Sequence, residues 1–232
     1  MTDPDPKQVL REARDLAASG AHAEALEKYV WFYENANAIN PALCGVRNSF
    51  ALGYWVKLGE DYPPARSALE TIRDAKLDAL RKGLSNPELF SDVSAINEVL
   101  GQLELTGSLF AGIASKDREF AQKCFPSARV ALVRLGEYAL ARTFIKSPRS
   151  TLEMLADLLN RSLEANPSPP TARSLMLQNA DVENYIEDVQ HLLEILAGVG
   201  ANDEAHHLRL LAIESVNRTE IRDQIKEKLS DL

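Results

Sequence analysis

Gly20-Ala-His-Ala-Glu-Ala25 is the stretch that decides the fold, because its arrangement returns three more times along the chain. Each copy is a turn followed by an alanine at a fixed offset: Glu60–Ala65, Gly136–Ala141 and Gly200–Ala205. Glycine suits a tight turn between helices, and a small residue early in the second helix lets two helices approach closely. The repetition therefore predicts helical hairpins, each with its alanine at a helix–helix crossing.

Helical periodicity extends outward from these segments in both directions. Apolar residues recur at i, i+3 and i+4 near the N-terminus, as at Val9, Ala13 and Leu16, and again at Val189 and Leu192. Alanine and leucine, which are good helix formers, dominate these stretches. No alternating stretch of useful strand length occurs, so the sequence predicts an all-α fold.

Proline and glycine punctuate the chain roughly every 15 to 20 residues, a spacing that suits helical hairpins. The richest stretch is Asn166-Pro-Ser-Pro-Pro170. It predicts a boundary between a helical-repeat section at 1–165 and a C-terminal helical section at 171–232. The alternative is a stack of helices that continues through this stretch.

The turn-plus-alanine segments resemble the tetratricopeptide repeat, in which a small residue follows the turn at the start of the second helix. The resemblance covers about four hairpins and implies antiparallel helical hairpins stacked as a right-handed α-solenoid. The positions of the first hairpin that fit the repeat are Ala13, Gly20, Glu24, Ala25 and Tyr29. Phe32 and Ile72 stand where small residues are usual, and successive alanines are 40, 76 and 64 residues apart rather than about 34. A closed, irregular helical bundle is the alternative architecture.

Composition narrows the functions that the chain can have. Lys and Arg total 26 against 34 Asp and Glu, a net charge of -8, which argues against general nucleic-acid binding. No apolar run reaches the roughly 18 residues of a membrane span, and the N-terminus lacks the features of a secretory signal. Cys44 and Cys124 fit no zinc or disulfide pattern, so two free thiols in a reducing cytoplasm are predicted. The block Asn40–Ala65 also resembles degenerate helical-repeat proteins of bacteria, which implies a bacterial, cytoplasmic source.

No catalytic residue, cofactor or metal ligand is predicted. Neither a GxGxxG or GxxxxGK[ST] phosphate loop nor a GxSxG elbow occurs. A rival interpretation is a metal-dependent enzyme. Its metal site would combine Glu187 and His191 with Asp203 and His207, two pairs that are each spaced i, i+4 and that face each other across one hairpin. The competing interpretation is an exposed acidic helix that carries ordinary histidines.

The resemblance also implies where a partner binds, because the first helix of each tetratricopeptide hairpin lines the groove. The residues at the groove positions of the first two hairpins are Arg14, Arg47, Tyr54 and Lys57. The carboxylate clamp of chaperone-binding members is not preserved, since its Lys and Asn positions hold Leu10, Arg14 and Ala51. Binding of chaperone C-termini is therefore not implied.

Arginine beside an exposed aromatic ring can pair with a carboxylate and stack at the same time. The predicted partner element is therefore a short acidic or carboxylate-bearing peptide of a protein partner. The aromatic run Trp31-Phe32-Tyr33 and the pair Tyr54-Trp55 cannot all face inward, because successive helical residues diverge by about 100°. The competing interpretation ties Arg47 and Lys57 to neighbouring acids and buries Tyr54 in the core.

These observations predict a non-enzymatic protein–protein interaction module, a scaffold or adaptor, whose oligomeric state is open. The charge distribution favours one alternative. The segment 115–149 has a balance of +5 and the segment 171–204 a balance of -6. An immunity or inhibitor protein would use such an acidic zone to cover a basic site of its partner. The two charged zones could equally meet each other.

Overall fold

The computed structural model describes residues 4–165 and 171–230. Within these ranges the chain forms α-helices and one 3₁₀ turn at Pro41–Leu43, and it contains no strand. In chain order the helices are α1 (Pro6–Ala18), α2 (His22–Ile39), α3 (Cys44–Asn48), α4 (Phe50–Asp61), α5 (Pro63–Arg81), α6 (Pro87–Val99), α7 (Leu103–Lys116), α8 (Arg118–Arg134), α9 (Tyr138–Arg142), α10 (Pro148–Ala165), α11 (Ala172–Gly198), α12 (Asn202–Glu214) and α13 (Thr219–Leu229). The prediction of an all-α fold is confirmed.

The chain divides into two compact units, 1–131 and 132–232, and the division falls within α8. The boundary predicted from the sequence, 166–170, lies outside the described residues. The helices on either side of it, α10 and α11, pack together inside the second unit. The predicted division into 1–165 and 171–232 therefore differs from the division into two compact units, which falls between residues 131 and 132.

Three of the four turn segments are built in the same way. Gly20, Gly136 and Gly200 have φ angles of 83°, 73° and 80°, a left-handed conformation that residues with a Cβ seldom adopt. After each glycine, the next amide bonds to the carbonyl five residues before it, at 2.8–3.0 Å. These bonds satisfy carbonyls that a helix end would otherwise leave unpaired. The fourth segment instead places Pro63 at the first position of α5, where a missing N–H costs no intrahelical bond.

In the first unit, α1 and α2 form one hairpin and α4 and α5 form a second. Helix α4 also contacts α1 and α2, and α6 contacts both α4 and α5. The core between the hairpins is aromatic: Trp55 has its ring centroid 6.1 Å from those of Tyr29 and Tyr33. Its indole Nε1 donates to the Ala65 carbonyl at 2.8 Å, so the polar edge of the buried ring is satisfied.

In the second unit, α11 is the central helix and contacts α9, α10, α12 and α13. The Tyr185 hydroxyl of α11 donates to the Ala212 carbonyl of α12 at 2.8 Å. Helices α9 and α11 approach closely at Gly198, because a Cβ on this residue would lie 2.1 Å from the ring Cδ2 of Tyr138. The alanines of the four turn segments, Ala25, Ala65, Ala141 and Ala205, are all buried.

Candidate functional site

Three of the four sequence-predicted partner residues line one cavity. Arg14 of α1 and Tyr54 and Lys57 of α4 surround a cavity of about 380 Å³, which we call the Arg14 pocket. Its other walls include Ala17, Ala18, His22, Tyr29, Leu58 and Asp61. The pocket forms because α4 packs against the α1–α2 hairpin and so brings residues 40 positions apart together.

Arg14 and Tyr54 form the most specific contact of the Arg14 pocket. The Arg14 guanidinium carbon lies 4.4 Å from the centroid of the Tyr54 ring, within the range of a cation–π interaction. Arg14 is exposed and Tyr54 is half-buried. A guanidinium carries five N–H donors, so those of Arg14 that the Tyr54 ring does not cover can pair with a carboxylate.

The floor of the Arg14 pocket is the buried face of Tyr29, whose ring also stacks on Trp55 in the core. Burial raises the pKa of Tyr29 to about 12, although the nearby Arg14 charge opposes the shift. The phenol therefore stays neutral at physiological pH, and Arg14 has no phenolate to neutralise it.

The mouth of the Arg14 pocket carries two cations, Arg14 and Lys57, and one acid, Asp61. Within the part of the chain that the structure describes, neither cation has a carboxylate within 4.0 Å. Lys57 therefore forms no ion pair with Glu60 or Asp61, contrary to the competing interpretation. His22 stands at the edge, with its ring centroid 5.9 Å from that of Tyr62.

Arg47, the fourth predicted residue, does not line the Arg14 pocket, and the sequence-based prediction of its position is corrected here by the structure. It is on α3, which ends before Ser49, and α4 begins anew at Phe50. Ser49 has φ -129° and ψ -88°, so the helix expected to run from Arg47 through Lys57 is interrupted. The helical spacing that would place Arg47 beside Tyr54 is lost at this break, and its side chain is buried instead.

The buried guanidinium of Arg47 pairs with Asp92 of α6 in a bidentate ion pair. Nη1 donates to Oδ1 at 2.6 Å and Nη2 to Oδ2 at 2.8 Å. Nε donates to the Tyr33 carbonyl at 2.6 Å, and the Tyr33 ring centroid lies 3.8 Å from the guanidinium carbon. Lys76 of α5 donates to Asp92 Oδ2 at 2.7 Å. We call these four residues the Arg47–Asp92 network; it joins α2, α3, α5 and α6.

The network fixes the ionisation of its carboxylate. Burial alone would raise the pKa of Asp92, but the hydrogen bonds and charges of Arg47 and Lys76 outweigh burial and hold the pKa below its usual range. Asp92 is therefore ionised wherever the protein is folded near neutral pH. The role of this network is to join helices, since its groups are paired with one another.

The rival metal site at α11 and α12 does not assemble. His191 is buried, whereas Glu187, Asp203 and His207 are all exposed. Among residues 4–165 and 171–230, no group of three or more His, Cys, Asp or Glu side chains is placed to hold a metal ion. The exposed carboxylates of α11 and α12 leave the acidic zone of 171–204 open to solvent.

Among the residues with an ionisable side chain on the rim of the Arg14 pocket, sequence reasoning missed His22 and Asp61. Each stands beside a turn, His22 two residues after Gly20 and Asp61 at the last position of α4. The turn at Gly20 and the turn after Asp61 lie close together, since the rings of His22 and Tyr62 are 5.9 Å apart. The positions of the two turns in the sequence are the signal that would have placed both residues near Arg14. No local signal pairs Asp92 with Arg47, because 45 residues separate them.

No protein-family model matches the chain, and no curated protein matches it either. None of the helices that the structure describes combines the length and the apolar character needed to cross a membrane.

Proposed function

We propose that the chain is a tetratricopeptide-like, non-enzymatic interaction module that binds a carboxylate-bearing peptide of a protein partner in the Arg14 pocket. The observation that carries this proposal is the convergence of Arg14, Tyr54 and Lys57, three residues from two hairpins, on one cavity. In this proposal the hairpins of α1–α2 and α4–α5 are the first two repeats of a right-handed solenoid. The contacts of α4 with both helices of the preceding hairpin support that arrangement.

The proposed binding mode uses the two cations in different ways. Arg14 offers a planar fork of donors held against the Tyr54 ring, which suits bidentate pairing with one carboxylate. Lys57 offers a point charge that either oxygen can approach. The walls belong to packed helices, so binding need not order the site. Asp61 at the mouth disfavours a second carboxylate next to it, which makes the site selective for peptides with one acidic group at the anchor position.

Paired peptides that differ only in the charge of the anchor group test the proposal. A library of short fluorescent peptides with a free terminal or side-chain carboxylate is compared with its amidated or Asn/Gln counterpart by fluorescence polarisation. The double variant Arg14→Glu with Lys57→Glu is expected to weaken binding of the acidic peptides at least tenfold, since each charge-assisted hydrogen bond contributes roughly 1.5–3 kcal/mol.

The matched control is Arg11→Glu with Lys82→Glu. It changes the net charge by the same amount at exposed positions that do not line the Arg14 pocket. This control is expected to keep binding within about twofold, because screened surface charges contribute little at 0.15 M salt. Equal losses in both double variants, or equal binding of acidic and neutral peptides, would refute the proposal.

The inhibitor alternative has one supporting feature, the exposed carboxylates Glu187, Asp203 and Glu204 on α11 and α12. The variant Glu187→Lys with Asp203→Lys separates it from the pocket proposal. If a captured partner is basic and is lost from this variant but kept by the Arg14→Glu, Lys57→Glu protein, the acidic zone is the binding surface. The opposite pattern is expected if the Arg14 pocket binds the partner.

A further inference from the structure

A second cavity of the first unit lies between α5 and α7. It has a volume of about 420 Å³ and is bounded at one end by the start of α8. Its apolar wall residues come from three helices: Leu77 and Leu80 of α5, Leu109 and Ile113 of α7, and Phe120 of α8. We call it the Leu109 groove. It shares no residue with the Arg14 pocket.

The apolar surface of the Leu109 groove is open. Leu105, one turn before Leu109 on the same face of α7, lines the groove and is 47% exposed. Gly112 adds to the opening, because a Cβ built there meets no atom within 4 Å. An amphipathic helix normally turns such an apolar face toward the core. This face of α7 is instead partly exposed, and exposed apolar surface of this kind marks a ligand-binding or interaction site.

Two cations stand at the rim of the Leu109 groove. Lys116 at the end of α7 has no carboxylate within 4.0 Å among the residues that the structure describes. Arg81 at the end of α5 has only Asp78, at 4.0 Å, and both side chains are mostly exposed. The rim also holds Asp117, but its Oδ1 accepts the Phe120 amide at 2.9 Å and so faces the N-terminus of α8. The positive helix end compensates this carboxylate, and the two cations remain available.

We infer that the Leu109 groove binds a small amphipathic anion, a molecule with an apolar body and one carboxylate or sulfonate head. The volume falls in the range of small-molecule sites, about 300–1,000 Å³, which are typically apolar with a few converging polar groups. The apolar body lies against Leu77, Leu109 and Phe120, and the head pairs with Arg81 and Lys116. Charge complementarity selects an anion over a neutral or cationic amphiphile.

The probe is 8-anilinonaphthalene-1-sulfonate, whose fluorescence rises in an apolar site, titrated into the full chain. Gly112→Leu fills the open space over α7 and is expected to weaken binding at least tenfold. Gly53→Leu is the matched control, because Gly53 is also an exposed helical glycine whose Cβ would meet nothing within 4 Å, and it lies outside the groove. Both substitutions replace a helical glycine with a better helix former, so both proteins are expected to fold.

Arg81→Glu with Lys116→Glu tests the head group separately. It is expected to weaken the sulfonate probe at least fivefold and to leave binding of neutral N-phenyl-1-naphthylamine within twofold. Octanoate is expected to displace the sulfonate probe, whereas octan-1-ol at the same concentration displaces it less. Saturable binding that Gly112→Leu leaves intact would overturn the inference, as would equal effects of the charge reversal on the two probes or a failure of octanoate to compete.

Discussion

Replacement of Asp92 by alanine removes one side of the Arg47–Asp92 network and leaves the other side in place. Arg47 would retain two hydrogen bonds, from Nε to the Tyr33 carbonyl and from Nη1 to Asn48 Oδ1. Nη2 would lose its acceptor, and the Arg47 side chain has little access to water, because it is only 8% exposed. Lys76 is 22% exposed and can be hydrated, so Arg47 accounts for most of the cost.

The expected loss of unfolding free energy is about 3–5 kcal/mol, the usual cost of leaving a buried charge without its partner. With a urea dependence of about 2 kcal/mol per molar, the midpoint falls by about 2 M. Arg47→Met with Asp92→Leu removes both charges and keeps the volume apolar. This double variant is expected to be more stable than either single variant, because no uncompensated charge remains inside.

Tryptophan fluorescence measures this loss in the unit concerned. The chain has two tryptophans, Trp31 and Trp55, and both belong to the first unit. Their signal therefore follows the unfolding of that unit even if the two units unfold separately. A loss below about 1 kcal/mol for Asp92→Ala, or a double variant that loses as much as the two single variants together, would refute the interpretation of the network.

Three further predictions concern pH, packing and thiol chemistry. The pKa of Asp92 is lower in the folded protein than the unfolded value of about 3.9. Its contribution to the free energy of unfolding is therefore fully present above about pH 3.9 and is lost as the pH falls through the folded pKa. Urea titrations should show that the difference in stability between wild type and Asp92→Asn closes only in this acidic range. Gly198→Ala should destabilise the second unit by about 1–3 kcal/mol, because the new Cβ clashes with Tyr138. Circular dichroism should detect this loss while the tryptophan transition of the first unit stays unchanged. Adding Tyr138→Ala should restore part of the lost stability. Burial raises the pKa of Cys124 to about 12, so a disulfide-exchange reagent at pH 8 should modify Cys44 at once and Cys124 only on unfolding; two fast thiols would contradict this.

The sequence predicts much of the helical framework because its signals are local. In three of the four turn segments a glycine with a positive φ precedes the alanine by five residues, and in the fourth Pro63 begins the second helix. Together with apolar spacing of three and four residues, these signals define the hairpins without reference to the rest of the chain. The aromatic argument also holds: Trp31 and Tyr54 are half-buried, whereas their neighbours Phe32, Tyr33 and Trp55 are buried. The grouping of Arg14, Tyr54 and Lys57 comes instead from the resemblance to the tetratricopeptide repeat, because these residues stand at its groove positions.

The expected position of Arg47 beside Tyr54 is wrong for two reasons, one close to Arg47 in the chain and one distant from it. The break at Ser49 interrupts the helix that the apolar spacing favours, and the carboxylate that draws Arg47 inward is 45 residues away on α6. Neither fact has a counterpart in local spacing. The same holds for the Leu109 groove, since the distance between α5 and α7 depends on how each packs on α6.

The position of the Arg47–Asp92 pair along the chain has a consequence for proteolysis. Arg47 precedes the α4–α5 hairpin and Asp92 follows it, so the pair closes this hairpin into a loop held at its base. The turn after α5 contains exposed Lys82 next to Gly83, whose φ of 92° marks a tight reversal. Trypsin cutting after Lys82 would separate the chain covalently but would leave Arg47 on one fragment bonded to Asp92 on the other. The cut protein would therefore remain one folded particle until denaturant releases the two fragments, and a change in mass on a denaturing gel would not mean that the fold has come apart.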